Sequence, residues 1–460
     1  MKAYRVLPYS AGVSSNRERK TRYKSESALN RLFGPVRVER FFQTCRNREP
    51  AVIVGRMDKA DPHSAPPTDI ITRIGAIDLL RALTMVLMIF VNDLWSLKDI
   101  PAWLEHVPRG VDGIGLADVV FPAFLFIVGM SLPFAINSRQ AKGDTDFQLV
   151  RHVIGRSIAL LVMGVFLVNG ETINAAATGM EGIIWDAVCS IAFILIWNAY
   201  PKAMPIWAQR GLKALGLLIL LVLAFIYRGG EAGRLVLFAA HWWGILGLIG
   251  WSYLMAALVT IFARDRLIIL ITAWAAFSLL SLVWAARLVP APLHIIPEPI
   301  IDGTMTALSL GGVVIARLFQ IFQSKNENWR MTLLFAVITV FLICLSLYTR
   351  QFWGLSKLAA TPAWLLLCSA FTLIAFTALY WLGDITRKGH WFNPVRPAGT
   401  DTLLCYLMPA FLYVAIDMAH IELPDALLTG GPGLIKSLLF ALICVWLAGG
   451  LRQLGIRLRL

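Results

Sequence analysis

Charged residues are scarce in this sequence: Asp, Glu, Lys and Arg make up 15% of its 460 residues, whereas hydrophobic residues make up 58%. An average soluble domain carries about 25% charged residues, so the composition excludes an ordinary soluble fold. Residues 235–263 and 358–383 contain no charged residue at all. These runs exceed the roughly 20 apolar residues with which a helix crosses a bilayer. The sequence therefore predicts an integral membrane protein.

Several motifs of well-known chemistry are absent. The sequence contains no P-loop, dinucleotide-binding fingerprint, HExxH or GxSxG motif, and so gives no support to metal-dependent or serine hydrolase chemistry. The six cysteines are scattered without CxxC or Cys/His spacing, which indicates neither a zinc site nor a disulfide framework. No metal is expected at the site.

Apolar runs long enough to span a bilayer recur along most of the chain. They predict an all-α polytopic membrane protein, a bundle of about 12 transmembrane helices. The candidate spans lie near 77–95, 116–137, 152–170, 183–200, 211–228, 238–262, 267–287, 303–323, 331–349, 361–383, 400–418 and 433–451. The spans at 183–200 and 303–323 are the weakest because they contain Asp186 and Arg317. No internal repeat typical of transporters is evident.

The distribution of positive charge predicts the orientation. Residues 1–73 carry eight of the fourteen excess positive charges. With this segment in the cytoplasm, 18 Lys and Arg residues fall in the cytoplasmic loops and C-terminus, and 8 in the loops on the other side. This bias follows the positive-inside rule and places both termini in the cytoplasm. The same bias accounts for the net positive charge of the chain, so the charge does not indicate a nucleic-acid partner.

The N-terminal segment differs in composition from the rest of the chain. Residues 1–72 show no hydrophobic period and no apolar signal-peptide core. They predict a disordered basic extension, followed by a transmembrane domain over residues 73–460. Met57, shortly before the first span, is a second candidate start. Contact of the basic tail with anionic lipid is the functional alternative.

Deletion of residues 1–56 is expected to leave insertion and activity intact, because the segment lacks an apolar face that could pack on the bundle. Membrane fractionation and an activity assay of the truncated protein check this. Loss of insertion, or loss of activity by a folded truncated protein, would show that the tail has a role.

Polar residues follow one face of the first span. The helical period places five residues on a single stripe that is polar at both ends and apolar in the middle: Asp78, Arg81, Met85, Met88 and Asn92. An Asp78–Arg81 pair that only anchors the helix is the structural alternative. Anchoring does not explain Asn92 and Asp93 at the other end, and polar groups within spans are candidate site residues.

His106 lies in the loop that follows this span. A loop histidine is often a solvated bystander. Here Asn92, Asp93 and Asp118 are expected to surround it, and a histidine held by a carboxylate acts as a general base. Asp118 shares one face of the second span with Gly129 and two prolines, which suggests a bent helix that lines a cavity.

Two further polar positions accompany this block. Lys357 lies in an outer loop and Asp401 opens the eleventh span. Four tryptophans are expected in an interfacial aromatic belt, namely Trp242, Trp243, Trp353 and Trp364.

Two segments carry a family resemblance: R-I-G-A-I-D-L-L-R-A-L-T-M-V-L-M-I-F-V-N and H-V-P-R-G-V-D-G-I-G-L-A-D-V-V-F-P-A-F-L-F-I-V-G-M-S. The chain resembles the heparan-α-glucosaminide N-acetyltransferase family, with its bacterial NagX-like (DUF5009) membrane proteins. The resemblance covers roughly residues 73–451 and is densest over residues 73–140. Two departures stand out. The histidine-to-aspartate spacing is two residues longer than in the animal enzyme, and Asp401 replaces an asparagine found in many relatives.

The resemblance implies a transferase that takes acetyl from cytosolic acetyl-CoA and delivers it to a glucosamine amine across the membrane. His106, Asn92 and Asp118 correspond to the catalytic positions. Substrate or donor binding is expected of five residues: Asp78, Arg81, Asp93, Lys357 and Asp401.

The expected acceptor is a small amino sugar or short glycan, and the expected location is the inner (cytoplasmic) membrane. His106 serves either as a base or as an acetyl carrier. The rival functions are a proton-coupled sugar transporter and an O-acyltransferase of envelope glycans. The oligomeric state stays open.

Overall fold

A computed structural model of the protein describes residues 75–230 and 234–460. The expected N-terminal extension and Met57 lie outside the described residues. Twelve helices of 16 or more residues form the described bundle. They are α1 Gly75–Asp93, α2 Leu116–Gln140, α3 Asp146–Glu171, α4 Gly182–Trp197, α5 Ile206–Ile226, α6 Ile245–Ala263, α7 Leu267–Ala285, α8 Thr304–Ser324, α9 Asn328–Trp353, α10 Pro362–Tyr380, α11 Thr402–Met418 and α12 Gly430–Gln453. β pairing in these ranges is limited to four isolated bridges.

The helices confirm an all-α multi-pass membrane fold but not twelve full spans. Within the described ranges, ten helices are long and apolar enough to cross a membrane. An eleventh span results if Lys388–Thr400 and Thr402–Met418, which meet at an angle of 81°, are counted as one. The remaining predicted span, 183–200, corresponds to α4, which has only 16 residues. About 20 residues are needed to span the hydrocarbon core, so α4 is too short to cross it unaided.

Helices α2 and α8 pack with their backbones in close approach. A Cβ atom on Gly129 would collide with the carbonyl oxygen of Ser309, and one on Gly312 would collide with that of Phe126. Small residues allow this kind of close helix packing within a membrane. The interpretation of Gly129 as a cavity-lining residue is therefore wrong, because it faces α8. Helix α2 continues without interruption through both of its prolines.

Contacts of Arg81 define one end of the bundle. Its guanidinium donates hydrogen bonds to the Ser131 hydroxyl, late in α2, and to the Gly399 carbonyl oxygen, 3.2 Å away. Helices α1 and α2 are therefore antiparallel. We call this end the arginine end. The opposite end, where α1 finishes at Asp93 and α2 begins at Leu116, is the histidine end.

The last residues of the chain return to the arginine end. The Arg459 amide donates to the Trp197 carbonyl at 3.0 Å, and the Ala199 amide donates to the Arg457 carbonyl at 2.8 Å. These bonds hold residues 457–459 against the end of α4.

Candidate active site

The central feature of the histidine end is a hydrogen bond between His106 and Asp118. His106 follows a short 3-10 turn, Ala102–Leu104, and Asp118 lies in the first turn of α2. The imidazole Nδ1 is 2.7 Å from Asp118 Oδ1. The Asp118 side chain is only 2% exposed, whereas the His106 side chain is 46% exposed. A buried carboxylate therefore holds an accessible imidazole.

Backbone amides fix the orientation of the Asp118 carboxylate. Its Oδ2 accepts hydrogen bonds from the amides of Val107 and Gly115, each 3.1 Å away. With both oxygens occupied, the ionised carboxylate accepts the Nδ1 proton of His106. The lone pair of the neutral ring then lies on Nε2, at the other edge of the ring. This is the arrangement of a general base oriented by a carboxylate.

The His106 loop closes on itself at Gly115. A Cβ atom there would collide with the carbonyl oxygen of Glu105, the residue just before the histidine. Only glycine lets the end of the loop pass this close to its beginning.

A second contact holds this loop against the segment between α9 and α10. The Asp112 carboxylate accepts hydrogen bonds from the Leu355 amide at 2.7 Å and from the Arg350 guanidinium at 3.0 Å. The Gly113 amide donates to the Leu355 carbonyl at 3.1 Å. The Leu355 hydrogen bond lowers the pKa of Asp112 below its usual value, and Arg350 adds to this against the effect of burial. Asp112 thus stays ionised and holds two distant segments together.

Lys357 and Trp364, which lie after Leu355 in the sequence, contact the His106–Asp118 pair. Lys357 Nζ lies 3.4 Å from His106 Nδ1 and 3.5 Å from the Ala117 carbonyl oxygen. Burial lowers the pKa of Lys357, and the nearby Asp118 carboxylate opposes the shift. The indole Nε1 of Trp364 donates to the Asp118 carbonyl at 3.0 Å. Trp364 is 0% exposed, so its assignment to an interfacial belt is wrong.

Asp93 belongs to a different cluster. It is 1% exposed and accepts hydrogen bonds from Lys436 Nζ at 2.8 Å, Ser437 Oγ at 2.6 Å and Tyr413 Oη at 2.7 Å. These contacts tie the end of α1 to α11 and α12. Among the described residues, no hydrogen bond joins Asn92 or Asp93 to His106. Of the three residues expected around His106, the structure therefore places Asp118 in hydrogen-bond contact with it, and it adds Lys357.

We predict that Asp93→Ala lowers stability more than it lowers catalysis. Removing one partner of a buried ion pair costs about 3–5 kcal/mol, because the other charge, here Lys436, is left without its counter-ion. The thermal midpoint of the purified protein measures this. Asp425→Ala is the matched control, because Asp425 pairs with Lys98 where both side chains are mostly exposed. Equal midpoints for the two variants would contradict the prediction.

A cavity of about 470 Å³ opens at the arginine end. Its lining is rich in basic side chains, and Asp401 also contributes. The basic lining residues are Arg81, Arg139, His152, Arg156 and Arg459. Arg156 lies 4.7 Å from the centre of the Tyr253 ring, and its buried Nε has no hydrogen-bond partner. Arg156 was not among the predicted site residues, although its position within the predicted span 152–170 could have marked it.

Two further cavities continue along α1 towards the histidine end. One of about 90 Å³ is lined by Met85 and Met88 and shares Arg156 and Tyr253 with the first. The next, of about 200 Å³, is lined by Asn92 and shares Tyr406 with the second. Successive cavities thus follow the predicted stripe from Arg81 to Asn92.

The other two predicted binding residues lie at the arginine end. Asp78 accepts a hydrogen bond from Arg81 at 3.0 Å and lines a separate cavity of about 490 Å³ with Asp384 and His390. Asp401 lies at the break before α11 and pairs with Arg452 at 2.6 Å. The described residues contain no group of three or more His, Cys, Asp or Glu side chains that could hold a metal ion.

Comparisons with known proteins agree with the resemblance found in the sequence. Residues 73–288 match a family described as a domain of unknown function (DUF5009). The chain is similar to the mouse protein heparan-alpha-glucosaminide N-acetyltransferase, with 34% identity over 125 residues. This alignment covers 25% of the chain and 18% of the mouse protein. The human protein of the same name is 32% identical over 101 residues, which cover 21% of the chain and 14% of that protein. The chain thus aligns with less than a fifth of each relative.

Proposed function

We propose that this chain, which matches the DUF5009 family over residues 73–288 and is similar over part of its length to the heparan-alpha-glucosaminide N-acetyltransferases, is a transmembrane acetyltransferase. It takes acetyl from cytosolic acetyl-CoA and transfers it to the amine of a glucosamine-type sugar on the outer side of the inner membrane. The observation that carries this proposal is the His106–Asp118 pair, a carboxylate-held imidazole whose side chain is 46% exposed.

The cavity at the arginine end supports the donor assignment. Coenzyme A carries phosphate groups, and guanidinium groups bind phosphate with strong charge-assisted hydrogen bonds. Arg81, Arg139 and Arg156 line this cavity, and the unpaired Nε of Arg156 leaves a donor free. We place the nucleotide here, on the cytoplasmic side.

The narrower cavity beyond it fits the pantetheine arm. Met85 and Met88 line it, and methionine adapts to a flexible, largely apolar chain. From Arg81 to Asn92 the helical rise is roughly 17 Å. A thioester at the end of the arm would therefore lie near Asn92, close to the histidine end.

His106 supplies the proton transfer. The sugar nitrogen must be neutral to attack the thioester carbonyl carbon. His106 Nε2 accepts the proton that this nitrogen loses, and the carbon–sulfur bond breaks. The proton then passes to the departing sulfur, which leaves as the thiol. Asp118 stabilises the imidazolium that forms in between.

A covalent route uses the same residues. In this route Nε2 attacks the thioester first and carries the acetyl group to the amine. A burst of acetylated protein in the absence of acceptor distinguishes this route from direct transfer.

Purified protein in detergent, supplied with labelled acetyl-CoA and a panel of amino sugars, tests the proposal. We expect a labelled N-acetyl product that resists hydroxylamine. A hydroxylamine-labile product would indicate O-acyl transfer to a glycan. Sugar uptake into proteoliposomes without any acetyl transfer would overturn the proposal in favour of a transporter.

A further inference from the structure

The third cavity along α1 contains a feature that the His106 mechanism does not use. It lies at the histidine end, between the last turns of α1 and α3, the start of α4, and α11. Its lining includes two carboxylates, Glu171 and Asp186, together with Asn92, Ser190, Tyr406 and Tyr413. No Lys, Arg or His is among its lining residues. The lining of this cavity thus contains two carboxyl groups and no basic side chain.

Buried polar atoms in this cavity lack partners. The Ser190 hydroxyl belongs to a residue that is 0% exposed, and it has no hydrogen-bond partner. Oδ1 of Asp186 is also buried without a partner. A buried polar group without a hydrogen-bond partner destabilises the protein, and more so when it is charged. A cavity whose lining includes both residues suits a ligand that donates hydrogen bonds and carries positive charge.

The backbone of α3 makes room for the Asp186 carboxylate. A Cβ atom on Gly170 would lie 2.6 Å from Asp186 Oδ1. Glycine at this position lets the carboxylate lie against the end of α3, beside Glu171. The two carboxylates are thus brought to one cavity by the local sequence of α3 and by the first turns of α4.

The cavity adjoins an aromatic opening. A neighbouring cavity of about 360 Å³ shares Tyr413 with it, and its polar lining residues include Trp95, Asp417, His420 and Glu422. Trp95 is 72% exposed, and its ring lies edge-on to Tyr413 with the ring centres 6.1 Å apart. An exposed indole attracts an ammonium group through its π face. The opening and the cavity together suit a ligand with an ammonium group and several hydroxyls.

We propose that the cavity of Asn92, Glu171, Asp186 and Ser190 is the subsite that captures the ammonium group of the amino-sugar acceptor. The inference rests on the proposed function, because it names where the acceptor of that reaction binds. The carboxylates select the charged amine, and Ser190 and Asn92 offer hydrogen-bond partners to the sugar. The bound ammonium group releases its first proton to water before attack, and His106 accepts the second proton as the carbon–nitrogen bond forms, so the subsite determines affinity more than rate.

Binding without the acetyl donor tests the subsite directly. The full-length protein in detergent is titrated at pH 7 with glucosamine, and with N-acetylglucosamine and glucose as uncharged probes. We expect glucosamine to bind at least ~10-fold more tightly than either probe. Asp186→Asn should weaken glucosamine binding by ~10-fold or more, because it removes charge while keeping shape. Glu171→Gln, at an exposed position, is the second variant and should act in the same direction. Asp425→Asn is the control at the same end of the bundle and should change nothing.

The possible outcomes distinguish a failure of the subsite proposal from a failure of the proposed function. Equal binding of charged and uncharged sugars, or unchanged binding in both variants, overturns the subsite even if the wild type transfers acetyl. If the wild type binds glucosamine in preference to the uncharged sugars and both variants lose this preference, the subsite is retained. If the wild type nevertheless transfers no acetyl, the proposed function is overturned. If transfer is observed, KM for glucosamine should rise in Asp186→Asn by a larger factor than kcat falls. An unchanged KM contradicts the subsite.

Discussion

Replacement of His106 with alanine should reduce acetyl transfer by ~10²-fold or more, the usual contribution of a positioned general base. The reason is the loss of Nε2, whether it accepts a proton or carries acetyl. Steady-state kinetics on the purified variant measure the effect. Wild-type transfer should also fall under acidic conditions, because an imidazolium cannot accept a proton. That dependence should disappear in the residual activity of His106→Ala.

His241→Ala is a suitable control, because His241 is a partly buried loop histidine that does not line the three cavities along α1. It should retain wild-type transfer. Donor binding should survive in His106→Ala, because the arginine-lined cavity lies at the other end of α1. A folded His106→Ala protein with near-normal transfer would refute the mechanism.

Asp118→Asn should be almost as damaging, by about 10²-fold. The carboxylate accepts three hydrogen bonds, from His106, Val107 and Gly115. A carboxamide has only one oxygen acceptor, so its NH₂ group must face a donor. Either the loop amides lose a partner or Nδ1 is forced into the acceptor role, which moves the ring proton to Nε2. Transfer rate per folded molecule is the quantity to compare, with CoA binding as the check on folding.

The Asn92→Ala variant distinguishes the role of the acidic cavity from the role of the His106–Asp118 pair. Asn92 lines the acidic cavity, so its loss should lower transfer without changing the pH dependence that His106 imposes. Full activity of Asn92→Ala would remove this cavity from the reaction. Full activity of the Asp118→Asn variant would instead show that the reaction does not need the His106–Asp118 pair.

The sequence predicted the face of α1 but not every neighbour of that face. Helical periodicity alone put Arg81, Met85, Met88 and Asn92 on one stripe, and the cavities follow it. Periodicity also made Asp93 look like a partner of His106. One residue further along a helix points about 100° away, and there Asp93 meets Lys436 and Ser437.

The sequence could not predict contacts between residues that are far apart in the chain. Lys357 was identified by its position in an outer loop, and the structure places it beside His106. Trp364 was missed because a tryptophan near a span end usually marks the interface. Its burial depends on the packing of α10 against α2, which no local pattern encodes. The length of α4 was overestimated because hydropathy continues beyond Trp197, while the chain leaves the helix to pair with residues 457–459.

The clamp between Asp112 and the Arg350–Leu355 segment has a consequence for biosynthesis. The two sides are separated by 238 and 243 residues, so the His106 loop emerges from the ribosome long before its partners do. During the insertion of the eight helices α2 to α9, this loop lacks its contacts with Arg350 and Leu355. Nascent chains stalled before residue 350 should leave the loop open to protease, and chains stalled well beyond residue 364 should protect it. The segment that matches the DUF5009 family ends at residue 288, so on its own it would stop short of completing the site.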